Sequence, residues 1–346
     1  MQEKQHLFYV DAIKIIACIS IILFHLNVHV FYSNNSASLI GSLTYFNVSF
    51  GDLWISMFII ISGLTLALTN RENFSIRGFF KKRFLAIYPS FWITYILVAL
   101  VFLIILHKPF GDGEYWKIIL TFIGLDGFFL YKFPSYYLVG EWYTGYMLIT
   151  YLFFPVLYIF FSKKPIISFI IIIAIVACVF NIYSEIFQIP QTINPIMRLP
   201  DFFFGIIFTT FLSKNETCKM ILPVLSLIYL RFSDFAHAHI PYHFHMILTG
   251  ISLFLILECI FRVIGQYLTK KILDKTAYWA QYTFLAFLIH HQVLLYFFQE
   301  IPNLPNENST FKLSIWISVC VISFSYAIII YPVVSNFSKF LFKRIM

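Results

Sequence analysis

Lys14 and His25 stand eleven positions apart inside an apolar run that covers residues 9–29. At 3.6 residues per turn this separation is close to three full turns. Both side chains then share one helix face, roughly 16 Å apart along the axis. Ionisable groups are costly to bury in such a run and mark functional positions by default. An imidazole has an ordinary pKa near 6.5, which suits His25 to take a proton from a hydroxyl. Its plainer role is a hydrogen bond to a neighbouring helix. Lys14 has a plain role too, reaching toward the membrane interface or pairing with Asp11 three residues earlier.

Other polar residues interrupt later apolar runs. Ser62-Gly63 closes the second run, where small residues allow close helix packing. Arg77, Lys81, Lys82 and Arg83 precede the third. They either fix orientation or form a cationic mouth for an anionic, phosphorylated ligand. Glu141-Trp142 opens the fourth run, Arg198 and Asp201 flank Pro200, Glu258 lies in a late run, and His290-His291 sits deep in the ninth. The stretch 237–245, HAHIPYHFH, holds four His but no Cys or acidic partner at ligand spacing apart from Asp234. It reads as an interfacial aromatic loop, and no metal is expected. The five cysteines are scattered and suggest no disulfide framework.

The elements that position these residues are membrane spans. Of 346 residues 60% are hydrophobic and 12% charged, against about 45–50% and about 25% in soluble domains. Mean hydropathy is +0.83. A net charge of +8 comes without a basic face or a reader motif, which excludes a nucleic-acid binder. Apolar runs fall near 9–29, 51–69, 84–106, 143–161, 165–181, 200–213, 220–232, 243–263, 277–297 and 313–336. The first is long, holds Lys14 and lacks a small-residue cleavage site. It reads as a span and not as a removed signal. The runs at 200–213 and 220–232 are short for a bilayer.

Orientation follows from basic residues. With a cytoplasmic N-terminus and ten spans, seventeen of the 24 Lys and Arg fall inside, six fall outside, and Lys14 lies within the first span. The inside set includes Lys4, Arg71 and Lys163; the outside set includes Lys108. An eleventh run, 116–131, would cancel this bias if it crossed. It is therefore expected to be a re-entrant or interfacial segment on the outer side. The expectation is one all-α polytopic bundle over 1–346, with about ten transmembrane helices and both termini cytoplasmic.

Several stretches, in order, resemble the acyltransferase-3 family of bacterial membrane acyltransferases. DAIKIIACISIILFH (11–25) is similar to its L-D-x-L-R-x-x-A…H signature, with Lys14 at the Arg and His25 at the His. FIIISG (58–63) resembles F-F-x-x-S-G, and FFKKRFLAIYPSFW (79–92) resembles a basic entry segment in which Arg83 and Pro89 match. Ala86 takes the place of that segment's last Arg. Trp142 to Pro155, RLPDFFFGI (198–206) and TFLAFLIHH (283–291) follow, with His290 at the late His. Met147 stands where many members have Glu.

The resemblance implies an O-acyltransferase that moves an acyl group, acetyl foremost, from cytoplasmic acyl-CoA to a hydroxyl of a surface or lipid-linked polysaccharide. Acyl-CoA would be a co-substrate, with no bound cofactor. The setting would be the bacterial cytoplasmic membrane, with the lipid bilayer and the glycan as partners. His25 would be general base or acyl relay. Lys14, Lys82 and Arg83 would bind the donor. Ser62, Glu141, Trp142 and Arg198 would orient the acceptor or stabilise an oxyanion, and His290 would be a second polar group. The alternative from another class is a glycan translocator or exporter that performs no acyl chemistry.

Overall fold

The structure is a computed structural model that describes residues 7–345 apart from 36, 70–73, 108, 112–113 and 162–163. Lys4, Arg71, Lys108 and Lys163 of the charge pattern lie outside the described residues.

The ten apolar runs fall on helices, the ninth of them divided between two. The first three are α1 (Phe8–Ser33), α2 (Phe50–Thr69) and α3 (Ile76–Leu100), the last continuing through a wide turn to Ile105. A two-stranded hairpin, Thr44–Tyr45 with Val48–Ser49, leads into α2. Ser75 caps α3 by accepting from the Gly78 amide, satisfying a donor that the helix start leaves free. Two short pieces follow, α4 (Ile118–Phe122) and α5 (Asp126–Phe129), broken by Gly124 at φ +76°. The 116–131 run is thus no single crossing helix.

Then come α6 (Glu141–Phe161), α7 (Pro165–Asn181), the single turn α8 (Tyr183–Ile186), α9 (Leu199–Thr210) and α10 (Glu216–Arg231). The chain closes with α11 (Ser233–His239), α12 (Tyr242–Tyr267), α13 (Lys270–Ala280), α14 (Thr283–Glu300) and α15 (Ser309–Ile345). The ninth run differs from expectation. Its first residues belong to α13, a separate amphipathic helix, and the turn at Gln281-Tyr282 starts α14. Lysines dominate one flank of that stretch, so it lies along the bundle without entering its interior.

Among the described residues, five helices are long and apolar enough to cross a membrane: Phe8–Ser33, Phe50–Thr69, Ile76–Ile105, Tyr242–Tyr267 and Ser309–Arg344. Apolar side chains such as Ile96, Ile104, Ile171, Leu225, Val321 and Ile329 point outward. In water that surface would be unstable; in lipid it is the required one. The architecture is an all-α, membrane-type bundle. Its interior is built on α2 and α9. Gly63 lies against the Phe202 carbonyl and Gly205 against the Ile60 carbonyl, and a Cβ at either glycine would overlap that backbone. Small residues let the two helices touch. At twelve residues, α9 spans about 18 Å, too short for a bilayer on its own. Its residues from Pro200 to Thr209 are buried, so it is lodged inside the bundle.

Candidate active site

Three helices carry the site, and each supplies it twice. Toward one end, α1 contributes Lys14, α6 contributes Tyr143, Met147 and Tyr151, and α14 contributes Thr283 and Phe287, all lining one cavity of about 370 Å³. Further along the same helices, α1 contributes His25, α6 Glu141, and α14 His290 and His291 to a second cluster.

Glu141 is the centre of that cluster. His25 Nε2 lies 3.2 Å from Glu141 Oε2. His290 Nε2 and His291 Nε2 lie 3.1 Å and 2.7 Å from Oε1. The rings of His25 and His291 are 4.2 Å apart between centroids. His290 is fully enclosed, and its Nδ1 donates to the Phe287 carbonyl at 2.6 Å. Glu141 has φ +44°, a left-handed conformation uncommon for a residue with a side chain, and follows Gly140 at +88°. Such a conformation persists only where surroundings fix it. Part of the fixing is visible: Gln292, next to His291, donates to the Leu138 carbonyl at 2.6 Å and holds the loop before α6.

The cavity has a polar end. Ser62 Oγ and Tyr151 OH are hydrogen-bonded at 2.8 Å, and the Arg83 guanidinium lies over the Tyr151 ring. Lys14 pairs with Asp11 at 3.8 Å, so the expected i, i+3 pair is present while the ammonium still lines the cavity. Aromatic rings stand between cavity and cluster. Phe58, Tyr143 and Phe287 pack together, and Phe287 also packs on His290. The cavity and the cluster are therefore neighbours, with one aromatic layer between.

The residues singled out from sequence fall into three places. His25, Glu141 and His290 meet in the cluster. Lys14, Ser62 and Arg83 meet around the cavity. Lys82, Trp142 and Arg198 join neither contact set. Lys82 is exposed. Trp142 packs on Tyr143 and Tyr146. Arg198 is fully enclosed, 2.9 Å from Asp201 Oδ2, 2.9 Å from Ser56 Oγ and 3.8 Å from Asp52 Oδ1. A guanidinium held by two carboxylates is neutralised where it sits, and it braces α9 against α2.

His291, Tyr143, Tyr151 and Gln292 complete the site without having been assigned to it. The signal for His291 was its place beside His290. For Tyr143 and Tyr151 it was their spacing of eight residues, which puts both on one face of α6.

The arrangement can hold a hydroxyl near an imidazole whose other nitrogen faces a carboxylate. That is the equipment of general-base catalysis, placed beside a cavity with two cationic side chains. No curated protein and no solved structure matches the chain. A family model described as an acyltransferase domain matches residues 7–332 of the 346. It covers α1 through most of α15 and every residue of the cavity and the cluster. The chain is a multi-pass membrane protein that belongs to the acyltransferase-3 family.

Proposed function

We propose that this acyltransferase is an O-acyltransferase that takes an acyl group, acetyl foremost, from acyl-CoA on the cytoplasmic side and places it on a hydroxyl of a surface or lipid-linked glycan. The observation that carries the reading is the double use of α1, α6 and α14. Each helix lines the cationic cavity at one level and supplies the His–Glu cluster at the next. A donor held in the first lies one aromatic layer from a base in the second.

Lys14 and Arg83 bind the donor's phosphates as charge-assisted partners. Ser62 and Tyr151 present hydroxyls to the thioester end. His25 Nε2 faces Glu141, which fixes the ring, so Nδ1 takes the proton of the acceptor hydroxyl. The hydroxyl oxygen attacks the thioester carbonyl carbon, a C–O bond forms, the C–S bond breaks, and the proton passes from His25 to the departing thiolate. The products are an ester and free CoA thiol. His290 supports Glu141 from the other oxygen.

Ten crossings with both termini cytoplasmic put the cavity's mouth on the donor's side, and the host membrane is the bacterial cytoplasmic membrane. The fall of the ten runs on helices and the broken 116–131 segment support that count, with the short α9 crossing only as part of the bundle.

The test uses purified protein in lipid vesicles, radiolabelled acetyl-CoA and isolated surface glycan. Label should enter the glycan as a base-labile ester. Movement of glycan across the vesicle membrane with no ester formed would favour the exporter reading instead.

A further inference from the structure

We propose that Glu141, His290 and His291 form a binding site for one divalent transition-metal ion of the zinc class, with His25 at the edge of its open position. That last placement rests on the acyl-transfer reading; the site itself does not.

Four ligand-type atoms, one from each residue, lie within 4.8 Å of one another. A tetrahedral ion with bonds of about 2.0–2.1 Å places its ligands about 3.3 Å apart. The contacts of 3.1 Å and 2.7 Å at Glu141 Oε1 need only a slight spreading to reach that. Aligned hydrogen bonds do not satisfy the atoms at the centre of the cluster. Glu141 Oε1, His290 Nε2 and His291 Nε2 are buried and crowd together, yet none of them makes an aligned hydrogen bond. His290 Nδ1 carries its proton toward the Phe287 carbonyl. In the neutral ring that leaves Nε2 as a bare lone pair, aimed at a carboxylate oxygen. Two electron-rich atoms at 3.1 Å need a positive charge between them, a proton or a metal ion, and one metal ion serves both imidazoles and the carboxylate at once. A backbone carbonyl on the far nitrogen is also the usual outer partner of a metal-bound imidazole, since it fixes the tautomer.

Two imidazoles and one carboxylate with a free fourth position suit zinc, and such a set leaves room for an exchangeable oxygen ligand. His25 faces the other carboxylate oxygen and lies at that position's border. An acceptor hydroxyl bound to the ion would lose its proton more readily, and His25 would take it. The strained Glu141 backbone gains a reason, because it brings a carboxylate from the start of α6 onto α14.

The experiment is a Co²⁺ titration of the chelator-stripped, full-length protein in detergent, followed by visible absorption and competed with Zn²⁺. The expected result is one ion per chain with tetrahedral ligand-field bands. Glu141→Gln and His291→Ala should each weaken binding at least tenfold, while His237→Ala leaves it unchanged. Should His291→Ala fail to assemble, His291→Cys keeps a ligand atom and must add a thiolate-to-cobalt charge-transfer band. An adventitious ion only, seen as substoichiometric binding or a spectrum indifferent to Glu141 and His291, overturns the site, as does a His291→Cys protein without the new band. Acyl transfer measured on the same samples separates the readings. Transfer by ion-free protein refutes the placement of His25 at the ion's open position and leaves the site to the titration, and a bound ion without transfer refutes the proposed function alone.

Discussion

Glu141 touches three imidazoles and so ties the base to the rest of the cluster. Glu141→Gln keeps the volume and removes the charge. Acyl transfer should fall by about 10²–10⁴-fold, the usual worth of a positioned acid–base group. The assay is a steady-state rate with labelled donor, and a loss below tenfold would free Glu141 from the mechanism. Lys14 and Arg83 act on the other substrate. Lys14→Gln and Arg83→Gln should raise KM for acyl-CoA and leave KM for the glycan unchanged, because both line the cavity and neither touches the cluster. Arg198 makes a contrasting case. Arg198→Met should destabilise the fold by about 3–5 kcal/mol, since it strands Asp201 and Asp52 without their cation. Thermal unfolding in detergent reads this, and Arg198→Met combined with Asp201→Asn should recover part of the loss.

At the scale of elements, the contact between α2 and α9 is the most demanding. Neither glycine has room for a side chain, so Gly63→Ala and Gly205→Ala must push the two helices apart. Each should cost about 1–3 kcal/mol, as overpacking does, measured as a fall in melting temperature with the α-helical signal retained below it. The apolar runs located these helices well because burial in lipid demands long uninterrupted stretches. Three features resisted that logic. The division between α13 and α14 lies inside a run rich in aromatics, where only the turn geometry at Gln281 marks the boundary. The interior position of α9 rests on contacts with distant helices, to which local hydropathy is blind. The opposing pairs of Gly63 and Gly205 are visible as small residues, but their facing carbonyls are not.

Over the whole molecule, the site is an assembly of segments far apart in sequence. His25, Glu141 and His290 were each legible as polar residues in apolar surroundings. Nothing in their spacing says that they converge, because three separate helices must pack before they do. Arg198 carried the same signal as Glu141 and landed in an ion-pair network of its own, since burial of charge marks bracing and chemistry alike. Reporter fusions should place the ends of α1 and α15 nearest Lys14 and Lys343 in the cytoplasm, and the segment between α3 and α6 outside. A cytoplasmic signal from residues 133–137 would invert the account of which side supplies the donor.

The most direct measurement compares surface glycan from cells that carry the gene, cells that lack it, and cells that carry His25→Ala, with base-labile esters read by mass and proton spectra. The account predicts that the esters vanish in both the deletion and the point variant while glycan yield is unchanged. Esters that persist in His25→Ala, or a deletion that removes glycan from the surface and leaves the ester content of the remainder unaltered, would contradict it.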